Sequence, residues 1–80
     1  ASPLEEAIDS ENRRHYRAAL LTLADDDQTL LVGRVELELS FDELALVTKR
    51  HSPDAARVAT RRAALRLARA MGREPSGSQG

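Results

Sequence analysis

The chain has no cysteine, which excludes disulfide bridges and thiolate metal sites and gives no sign of a redox compartment. It has one tyrosine, Tyr16, and one phenylalanine, Phe41, so a core must come from aliphatic packing. No apolar run approaches the roughly 18 residues of a membrane span, and no secretory signal is visible. Gly-rich phosphate loops, a nucleophile elbow and a carboxylate pair in apolar surroundings are all missing. His15 and His51 lie far apart, without metal-ligand spacing. No catalytic residue, metal site or cofactor is read from the sequence.

What remains is one domain of 80 residues, near the lower end of what folds without covalent or metal staples. Net charge is −1, yet the charges are segregated. Up to Thr48, acids from Glu5 to Glu43 outnumber Arg13, Arg14, Arg17 and Arg34. Beyond it, Lys49, Arg50, Arg57, Arg61, Arg62, Arg66, Arg69 and Arg73 face only Asp54 and Glu74. Such polarity suits a domain that lays one surface on phosphate and offers the other to a protein.

Two helix starts dominate the second half. Ser40 with Glu43 three residues later forms a capping box, and Ser52 followed by Pro53 sets a cap before a proline at the first helical position. The first opens a helix of barely two turns ending near Val47; the second opens one of roughly five turns reaching Met71. Between them lies the connector Thr48-Lys49-Arg50-His51. Two helices so joined make a helix-turn-helix. With no glycine in the connector, one of its residues is expected in the left-handed conformation. Ala56, Ala59, Thr60, Ala63, Leu67 and Ala70 form a small apolar stripe for close helix packing, opposite the arginines.

Earlier in the chain, Ser2-Pro3-Leu4-Glu5 predicts a helix from Pro3, carried by Leu4, Ile8, Tyr16, Ala19 and Leu20 and ending near Leu23, with Asp9 and Arg13 spaced as an ion pair. Asp25, Asp26 and Asp27 are expected to cap and complement the positive end of a second helix, Asp26–Glu38. Its buried side is expected to hold Leu30, Leu31, Val35 and Leu39. Gly33, costing roughly 1 kcal/mol against alanine in a helix, marks a close helix contact. Gly72 is expected to end the last helix, and residues 73–80 read as a disordered tail. The fold class is all-α: a compact four-helix domain over residues 1–72 with a C-terminal helix-turn-helix. Opening on Ala1, the chain reads as processed or as a piece of something longer.

Five segments in this order carry a family resemblance: Tyr16-Arg17-Ala18-Ala19-Leu20; Leu30 to Leu37; Leu39-Ser40-Phe41-Asp42-Glu43-Leu44-Ala45; Ser52-Pro53-Asp54-Ala55-Ala56-Arg57; and Arg61 to Ala68. The chain from Tyr16 to Met71 resembles the C-terminal helix-turn-helix domain, region 4, of bacterial sigma factors of the extracytoplasmic-function type. The resemblance implies recognition of the −35 promoter element in the bacterial cytoplasm, with double-stranded DNA, the flap of the RNA polymerase beta subunit and an anti-sigma factor as partners and no membrane. It implies base contacts from Pro53, Asp54, Arg57 and Val58, with Lys49, Arg50 and Arg61 near phosphate. Ser52 and Arg62 complete the expected DNA-binding set. It also implies a promoter-melting domain upstream.

Three departures stand against the family pattern. Thr48-Lys49-Arg50 replaces the turn glycine, Val58 replaces a polar base reader, and Thr60 replaces a larger apolar residue, so its hydroxyl must bond back to a carbonyl. A response-regulator output domain and a helical protein-interaction module are the alternatives. DNA affinity separates the latter: about four neutralised phosphates would give a log K against log salt slope near −3.6.

Overall fold

The computed structural model describes the backbone of residues 3–72 and the side chains of residues 11–72. Among these residues the fold is all-helical, with four helices: α1, Pro3–Leu20; α2, Asp25–Leu31; α3, Phe41–Val47; and α4, Pro53–Gly72. The expected tail, and the side chains of Leu4, Ile8 and Asp9, lie outside the described residues.

Helix α1 stops three residues before the expected end. The Thr22 and Leu23 amides donate to the Ala19 and Leu20 carbonyls at 3.0 Å, and the Thr22 hydroxyl donates to the Ala19 carbonyl at 2.6 Å. A threonine that competes for the last carbonyls tightens and ends the helix. Further on, α1 is tied to the segment after α2 by Tyr16, whose hydroxyl donates to Glu36 at 3.2 Å. Burial, then the Glu36 carboxylate, raise the phenol's pKa.

Helix α2 continues into a π-helical turn, Val32–Glu36. The Leu37 amide reaches back to Val32 and the Leu39 amide to Gly33, while Glu38 takes a left-handed φ of 54°. The wider turn breaks the four-residue register, and this corrects one expectation. Leu30 and Leu31 are buried and Leu39 is half-buried, but Val35 is 58 % exposed. Gly33 is the close approach expected of it. A Cβ there would stand 2.7 Å from Leu44 Cδ2 and 3.2 Å from Leu39 Cδ1. Gly33→Val is therefore expected to destabilise by about 2–3 kcal/mol through overpacking. Gly33→Ala should cost less, since the gain in helix propensity of about 1 kcal/mol offsets part of the clash; urea unfolding of both variants measures the difference.

The capping box at Ser40 is complete. Glu43 N donates to Ser40 Oγ at 3.1 Å and Ser40 N donates to Glu43 Oε1 at 2.8 Å. At the other end of α3, Arg50 N donates to the Ala45 carbonyl at 2.8 Å and Lys49 N to that of Leu46 at 3.3 Å. With Lys49 at φ 59°, these bonds form a Schellman closure in which lysine stands where glycine is usual. Ser52 Oγ accepts from Ala55 N at 3.0 Å and caps α4.

Helix α4 spans both halves of the core. Ala56 packs with Leu44 and Ala45 of α3, beside half-buried Leu39 and Phe41. About two turns beyond, Ala63 packs with Leu20, Leu30 and Leu31 from α1 and α2, beside Ala59 and Leu67. Ala56 and Ala63 are fully buried; their methyl groups let neighbouring helices come close. Buried Thr60 donates its hydroxyl to the Ala56 carbonyl at 2.7 Å, so the polar group in this stripe is satisfied.

Candidate nucleic-acid interface

The helix-turn-helix presents the N-terminal part of α4 to solvent. Its buried stripe, Ala56, Thr60 and Ala63, fixes the rotation of the helix. At about 100° per residue, Asp54, Arg57, Arg61 and Leu65 then recur on the opposite side, and all four are exposed. Pro53 and Arg62 are exposed as well, and Val58, on the same outer side by helical spacing, is half-buried. The connector adds exposed Lys49 beside the start of α4. Thus the sequence-derived set is gathered at one end of the helix-turn-helix, with two members committed to other work.

The first is Ser52, whose hydroxyl oxygen is used as the α4 cap. The second is Arg50. Its guanidinium donates to both carboxylate oxygens of Asp26, from Nη2 to Oδ2 at 2.6 Å and from Nη1 to Oδ1 at 3.3 Å. The side chains of Arg50 and Asp26 are 25 % and 51 % exposed. Hydrogen bonding from Arg50 lowers the Asp26 pKa, and the same bond raises that of Arg50.

This pairing corrects the expected role of the aspartate run. The N-cap position of α2 is Ala24, which has no side-chain cap bond, and the three aspartates occupy the first turn. There their charge complements the helix dipole, but the carboxylates of Asp26 and Asp27 reach across the fold. Besides Asp26, buried Asp27 accepts from Arg66 Nε at 2.7 Å and Nη2 at 2.9 Å. The hydrogen bonds that Arg66 donates to Asp27 raise the Arg66 pKa. Adjacent aspartates thus tie the start of α2 to the connector and to the middle of α4. Nothing local in the sequence marks these pairs, because the partners stand 24 and 39 positions apart.

A pH dependence follows. Because the folded Asp26 pKa is depressed, its contribution is present above the unfolded value of about 4 and is lost as pH falls through the folded value. Solvent screening at this half-exposed carboxylate holds the contribution below about 1 kcal/mol. Asp26→Asn is expected to unfold at a lower temperature than the parent at neutral pH, with the gap closing under acid; thermal melts at several pH values test it.

On the outer face of α4, Arg57 donates Nε and Nη2 to one oxygen, Oδ1 of Asp54, at 3.1 and 2.9 Å. Among the described residues, Lys49, Arg61, Arg62 and Arg69 make no ion pair. In the basic half, the cations free of an ion pair among the described residues are therefore Lys49, Arg61, Arg62 and Arg69, while Arg50, Arg57 and Arg66 are held by aspartates.

A second surface is formed by α2, the π-helical turn and the end of α3. Val32, Gly33, Leu37, Leu39 and Val47, with Gln28 and Thr29, line an open groove of about 410 Å³. Leu37 and Val47 are more than half exposed, and neighbouring Leu46 is 79 % exposed. Among the described residues no cluster of His, Asp or Glu is arranged to hold a metal ion, and no helix is long and apolar enough to cross a membrane. Comparison with family models, with curated proteins and with solved structures finds no match.

Proposed function

We propose that this chain binds promoter DNA as the C-terminal domain of a bacterial sigma factor, working in the cytoplasm with core RNA polymerase and without catalysis. The observation that carries the proposal is the unit formed by α3, its Schellman turn and α4. Capping bonds fix its helix starts, and its second helix turns Asp54, Arg57 and Arg61 outward together. A recognition helix offers its N-terminal turns to the major groove in this way. Arg57 is the candidate guanine reader through its donor fork. Lys49, Arg61 and Arg62 are placed for phosphate.

Engagement of Arg50 by Asp26 lowers the expected phosphate count from about four to about three. Log K for a DNA duplex should then fall with log salt at a slope near −2.7, by about −0.9 per phosphate. Fluorescence anisotropy across a salt series measures it. Absence of binding at low salt, or an affinity indifferent to salt, would count against DNA as the partner.

The exposed groove beside Val47 supports the other half of the proposal, contact with a protein, for which the polymerase beta-subunit flap and an anti-sigma factor are the candidates. Exposed apolar surface of this kind marks an interaction site. It equally favours the second reading, a helical protein-interaction module, and the salt series separates the two.

A further inference from the structure

We propose that Asp54 is a specificity-determining residue of the DNA site, orienting Arg57 for guanine and selecting the neighbouring base pair; this rests on the DNA-binding reading above. Arginine reads guanine by giving two parallel N–H bonds to O6 and N7. A free arginine on an exposed helix face must give up much side-chain freedom to do so. Here that freedom is already reduced. Asp54, three residues earlier on the same face, takes the Nε and Nη2 hydrogens on a single carboxylate oxygen. The guanidinium has five donors in a planar fork. With the Nε side engaged, the end formed by Nη1 and the remaining Nη2 hydrogen stays open, and it has the spacing that O6 and N7 require.

The second consequence concerns the other carboxylate oxygen. Asp54 Oδ2 makes no hydrogen bond among the described residues, and the side chain is 75 % exposed. An acceptor without a hydrogen of its own cannot face the O6 and N7 of guanine or the O4 of thymine without repulsion. It accepts from N4 of cytosine or N6 of adenine. A guanine recognised by Arg57 should therefore adjoin a position where cytosine or adenine faces Asp54. The negative charge also opposes phosphate, so Asp54 weakens binding to DNA in general while sharpening the choice of sequence.

The competing explanation is that Asp54 complements the α4 dipole from the first turn. That role changes stability and leaves base preference untouched. The test uses a pool of DNA duplexes with a randomised central segment, bound by the full chain, Asp54→Ala or Arg57→Ala, with sequencing of the bound fraction. Thermal melts of the three proteins accompany it. The parent is expected to enrich a guanine next to cytosine or adenine. Asp54→Ala should bind the unselected pool a few-fold more tightly, lose the neighbour preference, and weaken the guanine preference by at least about fivefold. Arg57→Ala should lose the guanine and gain no general affinity.

An Asp54→Ala profile that superimposes on the parent's overturns the inference and leaves DNA recognition standing. A parent that retains no duplex from the pool removes both together. Asp54→Asn, which keeps an oxygen acceptor on a side chain of the same shape, should restore part of the neighbour preference; identical profiles for the asparagine and alanine variants also count against the inference.

Discussion

Truncation of Leu44 to alanine is expected to cost about 4 kcal/mol, within the range for fully buried leucines. Leu44 has no exposed surface, and it joins the two halves of the helix-turn-helix by packing with Ala45 and with Ala56 of α4. It also fills the space that Gly33 leaves open. Ala45 and Ala56 carry only methyl groups and cannot swell into the void, so the cavity term remains. A domain of this length has a total stability of roughly 4–12 kcal/mol. The loss should lower the melting temperature on the order of 20 °C, or leave the chain largely unfolded at room temperature. Leu46→Ala on the same helix provides the control. That side chain is 79 % exposed, and its removal should change stability within about 0.5 kcal/mol. Similar losses at the two positions would contradict the packing described.

The second large effect concerns recognition. Arg57→Ala is expected to reduce discrimination between a duplex enriched by the intact protein and a scrambled one by about 1–3 kcal/mol. Arg50→Ala should leave discrimination unchanged and weaken both duplexes only slightly, because its charge is general to the DNA backbone and carries no sequence information. Its effect should be smaller than that of Arg61→Ala, since the Arg50 guanidinium is already engaged by Asp26 and must leave that carboxylate to reach phosphate. Paired titrations of the variants at one salt concentration make the comparison. Equal loss of discrimination from Arg57→Ala and Arg50→Ala would remove Arg57 from the role of base reader.

Local chemistry made the helix-turn-helix legible. A capping box needs only residues three apart, and Ser40 with Glu43 forms one as read. The same holds for Ser52 before Pro53, for the left-handed connector residue at Lys49, and for the Thr60 hydroxyl bonded to Ala56. The small stripe on α4 followed from helical spacing alone.

Misreadings arose where distant parts decide the outcome. Val35 belongs to the apolar face of an ideal α2, and it leaves that face because it lies within the π-helical turn that follows Leu31. Asp25, Asp26 and Asp27 resemble caps because nothing near them reveals Arg50 and Arg66, which the fold delivers from later elements. Likewise, a count of basic residues overstates the charge available to DNA. The pairing of Asp54 with Arg57 is the opposite case: a three-residue spacing was visible throughout, but its meaning depended on which way α4 is turned.

In the proposed function, the connector and the first turns of α4 form the DNA-contacting face. Backbone NMR titration of the chain with a promoter-like duplex, at low and then moderate salt, tests it most directly. Shifts concentrated in residues 49–62 that reverse as salt is raised are the expected result. Shifts absent from those residues, with perturbation instead along the groove of Val32, Leu37, Leu39 and Val47 when a polymerase flap fragment is added, would contradict DNA recognition by the isolated chain and leave protein docking as its activity.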